Sequence, residues 1–146
     1  MNRLTQTKDG SYTLYSKKFD EHYHSLHGAL AESNHVFIKN GLTTFKNQKT
    51  LSILELGFGT GLNTLLTYQN TLDQTIFYHS IDAYPLLKPS FNLYLNTLAK
   101  IDKPIYEKII NTPWNNAYNI TDSFTLLKET TLFQEMSLKQ PYSLVY

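Results

Sequence analysis

Apolar positions fall into a few short runs separated by polar or glycine-rich breaks. Leu51 to Leu56, LSILEL, is a short, mostly apolar run. Gly57, Gly59 and Gly61 break it at alternate positions, and Leu62, Leu65, Leu66 and Gln69 then take up helical spacing. Strand, glycine turn and helix in that order predict the first unit of a nucleotide-binding α/β fold. A second run, Ile76 to Ile81, predicts the next strand and ends on Asp82. Beyond Tyr84-Pro85, Pro89 suits the first turn of a helix, with Phe91, Leu95 and Leu98 as its apolar stripe and Tyr94 beside it. Lys103-Pro104 is expected to break that helix, and Ile105 to Asn111 to form a short second one. Thr112 to Asn116 reads as loop, with Trp114 packed in it. Phe124 to Leu127 reads as a third strand, Leu132, Phe133 and Met136 as a short helical face, and Ser143 to Tyr146 as the beginning of a fourth strand. Upstream, Ser11 to Ser16 alternates as a strand would and is expected to pair with a later one. Ala29 to Ser33 suits one helical turn, His35 to Ile38 a short strand or the start of a helix, Gly41 a break, and Lys46 to Thr50 a polar loop into the first core strand.

The glycine spacing selects the ligand. A dinucleotide fingerprint, G-x-G-x-x-G, needs glycine at position 62, where this chain has Leu62. That substitution tells against an NAD-dependent oxidoreductase. The sequence instead reads Glu55-Leu56-Gly57-Phe58-Gly59-Thr60-Gly61, an acid two residues before G-x-G-x-G. This form is similar to the first motif of S-adenosylmethionine (SAM) methyltransferases. A tight turn needs positive φ, a missing Cβ lets a ligand lie on the backbone, and the following helix aims free N–H groups at it. SAM carries a cationic amino acid end, which an acid beside the turn suits. Asp82 lies 21 residues beyond Gly61, where an acid at the tip of the second strand can accept both ribose hydroxyls. Its plainer role would be to cap the loop YPLLKP. The candidate cofactor-binding residues are therefore Glu55, Gly57, Phe58, Gly59, Thr60, Gly61, Asn63 and Asp82.

Composition narrows the class. A chain of 146 residues, 41% hydrophobic with eleven tyrosines and eight phenylalanines, suits one domain with one core. No apolar run approaches membrane-spanning length, and MNRLTQTKDG lacks the apolar centre of a signal peptide. The absence of cysteine excludes disulfides and thiolate sites and fits a reducing cytosol. A formal charge of +1 gives no overall field for a polyanion, so any basic surface must be local. Phe19 to Ile38 holds four of the five histidines, His22, His24, His27 and His35, with Asp20, Glu21 and Glu32. Their spacing is not that of a helical H-x-x-x-H pair, so a solvated polar segment is expected there rather than a metal site.

Tyr15-Ser16, Phe19 to Ser25, Gly28, Glu32-Ser33, His35 to Ile38, Leu56 to Asn63 and Tyr84-Pro85-Leu86 together resemble the MnmD family. That family is also the methyltransferase domain of the bifunctional tRNA-modifying enzyme MnmC. The resemblance runs over nearly the whole chain. It implies a Rossmann-like SAM-dependent methyltransferase fold of the α/β class, with a mostly parallel sheet. Residues 1–146 would form a single methyltransferase domain, with 1–48 an N-terminal extension and 49–146 the SAM-binding core. The implied reaction methylates the aminomethyl group of 5-aminomethyl-2-thiouridine at the tRNA wobble position. A separate FAD-dependent oxidoreductase would supply that substrate. Neither a metal nor a membrane is implied, and the protein would be cytoplasmic. Phe19 to Ser33 would form part of the wall near cofactor and substrate, which nominates Asp20 and Tyr23 on the acceptor side as catalytic candidates; either could equally be structural. Two departures stand out. Family members carry an acid after the third strand, near the adenine, and Lys128 to Leu132 does not align it securely. The family also continues past the fourth strand with an Asp-Ala-Phe segment, so the domain is expected to be incomplete at its C-terminus. Two rival readings stay open: a SAM-binding module without catalysis, and a small-molecule methyltransferase.

Overall fold

The computed structural model describes residues 2–146. The chain begins with three short antiparallel strands, β1 (Arg3–Gln6), β2 (Tyr12–Ser16) and β3 (Glu21–His22), with β2 in the middle. The strand expected over Ser11 to Ser16 is present, but most of its pairing is with the earlier β1, in the register Leu4 to Leu14, and only two residues of β3 join it from the later side. Arg3–Gln6 offers too few apolar positions to be read as a strand without its partner.

Asp9, in the β1–β2 turn, fastens this small sheet to the rest. Its Oδ1 accepts from the Thr7 hydroxyl (2.6 Å) and from the Ser11 amide (3.0 Å), and its Oδ2 from the Ala31 amide (2.9 Å). Ala31 lies in α1 (Ala29–Ser33), so the hairpin carboxylate satisfies an otherwise free N–H of that helix. The helix runs on into a π-helical turn, Asn34–Lys39, and after Gly41 into a 3-10 turn, Leu42–Phe45. His35 to Ile38 is thus helical. The expectation of a solvated polar segment over Phe19 to Ile38 holds for Asp20, Glu21, His27, Glu32 and His35, which are exposed, and is corrected elsewhere: Ala29, Ser33 and Ile38 are buried, and His24 is half-buried.

The central sheet has five strands in the order β6-β7-β5-β4-β8. β4 (Thr50–Leu56), β5 (Thr75–Ile81), β7 (Phe124–Glu129) and β8 (Leu144–Val145) are parallel, and β6 (Ala117–Thr121) joins β7 as an antiparallel edge. The register stacks Leu51, Ile76 and Phe124 in one row, Ile53, Tyr78 and Leu126 in the next, and Glu55, Ser80 and Lys128 in the last. Paired residues in register share a face, so these rows make one face of the sheet, and α2 (Leu62–Gln69), α3 (Lys88–Leu95) and α4 (Lys103–Asn111) lie on its side. Tyr68 of α2 meets Phe124 of the sheet edge to face at 5.6 Å, and within the helical layer Tyr94 of α3 lies 5.8 Å from Tyr106 of α4. The opposite face is crossed by residues 139–143, where the Tyr142 hydroxyl meets His79 Nδ1 at 2.6 Å and Gln140 donates to Ser52 Oγ at 2.6 Å.

Three expectations change. Lys103-Pro104 opens α4 instead of ending α3, because proline fits the first helical turn; α3 stops at Leu95, and Leu98 lies beyond it, half-buried. The strand β6 was not expected, since Tyr118 and Asn119 face solvent and hide its pattern. Leu132, Phe133 and Met136 form no packed helical face. A 3-10 turn covers only Phe133–Glu135, and Phe133 is 61% exposed.

Candidate ligand site at the glycine turn

The sheet delivers three groups to one place. β4 ends at Leu56 and the chain turns through Gly57, Gly59 and Gly61, all at positive φ (100°, 53° and 79°). Gly57 faces open space: a Cβ there would meet nothing within 4 Å. Gly59 lies under the Tyr23 ring, 3.2 Å from where its Cβ would stand, and Gly61 lies against the Phe58 ring at 3.0 Å. Gly61 is the N-cap of α2, and the Gly61 amide donates to the Phe58 carbonyl to close the turn.

Asp82, at the tip of β5, holds this turn from the side. Its Oδ2 accepts from the Gly59 amide (3.1 Å) and its Oδ1 from the Tyr84 amide (2.8 Å). Asp82 thus caps the following loop and also anchors the glycine turn. A carboxylate has about four acceptor positions, so two amides leave capacity for hydroxyl donors from a ligand.

Glu55 sits beneath, 1% exposed. Among the described residues, only the Thr64 hydroxyl reaches it at hydrogen-bonding geometry, across 3.4 Å to Oε2. Burial pushes its carboxyl up to about 8, against the pull of Ser80, Asn63, Tyr78 and Thr64 nearby. Glu55 Oε1, Asn63 Oδ1, Tyr78 OH and Ser80 Oγ are buried near one another, none at hydrogen-bonding geometry to a partner among the described residues. These groups gather around the buried Glu55 carboxyl behind the turn, and of the four residues Asn63 reaches the cleft lining.

The N-terminal extension closes the other side. Tyr23 and His24 follow β3, and together with Glu32, Val36 and Phe37 they face Gly57, Gly59, Asn63 and Asp82 across a cleft of about 500 Å³. His24 Nε2 lies 2.8 Å from the Thr60 hydroxyl, and burial lowers its imidazole to about 4, against a raising effect from Glu32. The Tyr106 hydroxyl donates to the Thr60 carbonyl (2.6 Å), so Thr60 is gripped from both sides. Tyr23 is half-buried, and its phenol is raised by burial and by the charge of Asp82. Asp20 lies elsewhere. It adopts positive φ in the β2–β3 turn and accepts from the Tyr15 hydroxyl, outside the cleft lining.

The structure therefore brings Gly57, Phe58, Gly59, Asn63, Asp82 and Tyr23 into the lining of one cleft, sets Glu55, Thr60 and Gly61 buried behind it, and leaves Asp20 apart. Sequence reading did not single out His24, Tyr106 or Lys128 as supports of the turn. Lys128, wholly buried at the end of β7, donates to the Ile109 and Ile110 carbonyls (3.1 Å each) and stands 4.9 Å from both the Phe58 and Trp114 rings. A lysine closing an otherwise apolar strand was the available signal. Glu129, the last residue of β7, meets His79 and Lys139, each at 2.9 Å. Among the described residues no group of three or more His, Asp or Glu side chains could hold a metal ion.

No family model matches the chain. Curated relatives share its sequence: the tRNA 5-methylaminomethyl-2-thiouridine biosynthesis bifunctional protein MnmC of Leptospira interrogans is 34% identical over 104 residues, 65% of this chain and 16% of that protein. The protein of the same name from Burkholderia multivorans is 38% identical over 80 residues, 50% of this chain and 12% of the relative. The Burkholderia mallei protein is 45% identical over 67 residues, 44% of this chain and 10% of the relative. The chain thus spans a small fraction of the length of these relatives. Its fold matches the crystal structure of MnmC2 from Aquifex aeolicus with a TM-score of 0.67 and 24% identity, over 88% of this chain and 41% of that one. Sequence likeness to several MnmC proteins and the fold shared with MnmC2 agree, and together they mark the chain as MnmC/MnmD-like.

Proposed function

We propose that the chain binds SAM in the glycine-turn cleft and serves methyl transfer to the aminomethyl group of 5-aminomethyl-2-thiouridine at the tRNA wobble position. The observation that carries the reading is the turn itself. Gly57 is open to a ligand, Asp82 has acceptor capacity at its side, and Asn63 lines the same cleft with its Oδ1 unpartnered among the described residues. These groups fit SAM. Asp82 would take the ribose hydroxyls, Asn63 would face the amino acid end with Glu55 buried behind it, and Gly57 and Gly59 would lie against it. The names of the relatives supply the acceptor, because 5-methylaminomethyl-2-thiouridine differs from the aminomethyl nucleoside by one methyl group.

When bound, SAM supplies a methyl group already activated on a sulfonium. What is left to the protein is positioning, exclusion of water and acceptance of a proton from the amine. Tyr23, over Gly59 and beside Asp82, is the candidate from this chain for orienting the acceptor. Asp20 would act on the acceptor side only indirectly, through the β2–β3 turn. A separate FAD-dependent oxidoreductase would provide the amine, and both activities belong in the cytoplasm.

The net charge of +1 favours one rival, a small-molecule methyltransferase. Labelled SAM offered with tRNA bearing 5-aminomethyl-2-thiouridine, and separately with the free nucleoside, decides between them. Label in the tRNA supports the proposal. Label in the nucleoside alone supports the rival, and binding without transfer to either indicates a SAM-binding module.

A further inference from the structure

A second cleft, of about 650 Å³, opens on the far side of Tyr23 from the glycine turn. Its walls are Phe19, Tyr23, Tyr84, Leu86 and Leu87, with Lys18 at the rim. Three of these apolar side chains stand in solvent: Phe19 is 45% exposed, Tyr84 54% and Leu87 76%. Single exposed apolar residues are ordinary, but a contiguous group beside a functional cleft marks a contact surface. The Phe19 and Tyr84 rings lie 5.4 Å apart at 52°. Lys18 Nζ stands 3.8 Å from the Tyr84 ring centre and 5.0 Å from that of Phe19, and Lys17 beside it is exposed. Lys17 and Lys18 thus set two positive charges beside a mutually tilted pair of aromatic rings, with exposed Asp20 and Glu21 following them in the chain.

The two clefts are coupled. Tyr23 is their common wall, and the amide of Tyr84 is held by Asp82, which also holds Gly59. A group seated against Tyr84 would therefore lie next to the glycine turn.

We propose that this Phe19–Tyr84–Lys18 cleft receives an unpaired nucleotide of a single-stranded RNA loop, with its base stacked on the aromatic side chains and its phosphate near Lys18. The inference rests on the tRNA reading above and extends it by naming where the RNA is held. Flat aromatic rings beside a cation suit single-stranded nucleic acid, because each base offers a π face and each link a negative charge. A base inside a duplex cannot reach such a platform.

The test is fluorescence anisotropy with a labelled anticodon stem-loop RNA and a fully paired RNA of equal length. The variants are the double substitution Phe19→Ala with Tyr84→Ala, the single change Tyr84→Trp, and Leu87→Asp at a solvent-exposed wall position. Binding of S-adenosylhomocysteine is measured by calorimetry on each. The expected result is a loss of about tenfold or more in stem-loop affinity for the double variant. A similar direction is expected for Leu87→Asp and near-native affinity for Tyr84→Trp, all with unchanged S-adenosylhomocysteine affinity. Unchanged stem-loop affinity in both the double variant and Leu87→Asp would overturn the proposal, as would a wild type that prefers the paired RNA. If the wild type binds no S-adenosylhomocysteine yet the variants lose RNA, the cleft stands and the cofactor reading fails.

Discussion

The amide of Gly59 donates to the carboxylate of Asp82 across 3.1 Å, tying the turn after the first core strand to the tip of the second. Parallel pairing of β4 with β5, Leu56 opposite Ile81, brings those two ends together. The bond makes Asp82 both a part of the turn and a candidate ligand contact. Asp82→Ala is expected to weaken SAM binding by about 1.5–3 kcal/mol, the range for a charge-assisted hydrogen bond, with a further loss from the loosened turn. A 2′,3′-dideoxy analogue separates the two effects in calorimetry. Loss of the ribose hydroxyls should matter in the wild type and matter little in the variant, whereas additive losses would show that Asp82 and the hydroxyls do not interact.

The glycines of the turn should differ in what they tolerate. Gly57→Ala introduces strain at positive φ of about 1–2 kcal/mol but meets no neighbour, so the folded chain should survive with its ligand space obstructed. Gly61→Ala adds a clash with the Phe58 ring to similar strain and should cost more stability. Urea denaturation with parallel ligand titration checks this order, which would be wrong if Gly57→Ala proved the less stable of the two.

Glu55 sets a pH dependence. Its carboxyl is raised from 4.5 to about 8 by burial, so the folded state favours the protonated form. That preference stabilises the fold fully below about pH 4.5 and is lost as pH rises toward 8. Glu55→Gln, which keeps the shape and cannot ionise, should gain in Tm relative to the wild type as pH rises from 5 to about 8. Thermal melts across that range should show the difference widening; a constant difference would mean that Glu55 is already ionised in the fold.

Lys128 should behave in the opposite sense. Burial lowers it to about 8 from 10.5, so the unfolded chain holds its proton more tightly and wild-type stability should rise relative to Lys128→Met between those values. Near neutral pH the variant leaves the Ile109 and Ile110 carbonyls without their donor, and a loss of about 1–3 kcal/mol is expected by chemical denaturation.

Much of this was legible in the sequence for a local reason. Leu51 to Leu56, the glycines and Leu62 to Gln69 form a strand, turn and helix whose pattern needs no distant partner, and they fold as β4, the turn and α2. Asp82 was legible because the strand ahead of it is buried on both sides of the ladder. What was hidden depended on partners far along the chain. Arg3–Gln6 is a strand only because Tyr12–Ser16 lies beside it, and Ala117–Thr121 only because β7 does. His24 looked like one of a polar cluster until Thr60, 36 residues on, gave it a buried partner. Lys103-Pro104 was ambiguous in principle, since proline both ends one helix and begins the next.

The central claim is that a SAM-type ligand lies on the glycine turn. The most direct measurement is a titration of the ¹⁵N-labelled chain with S-adenosylhomocysteine, followed by amide resonances. The expected result is saturable shifts concentrated at Gly57, Gly59, Gly61, Asn63 and Asp82, absent in Gly57→Ala. Shifts confined to other parts of the chain, or no saturable shifts at millimolar ligand, would contradict it.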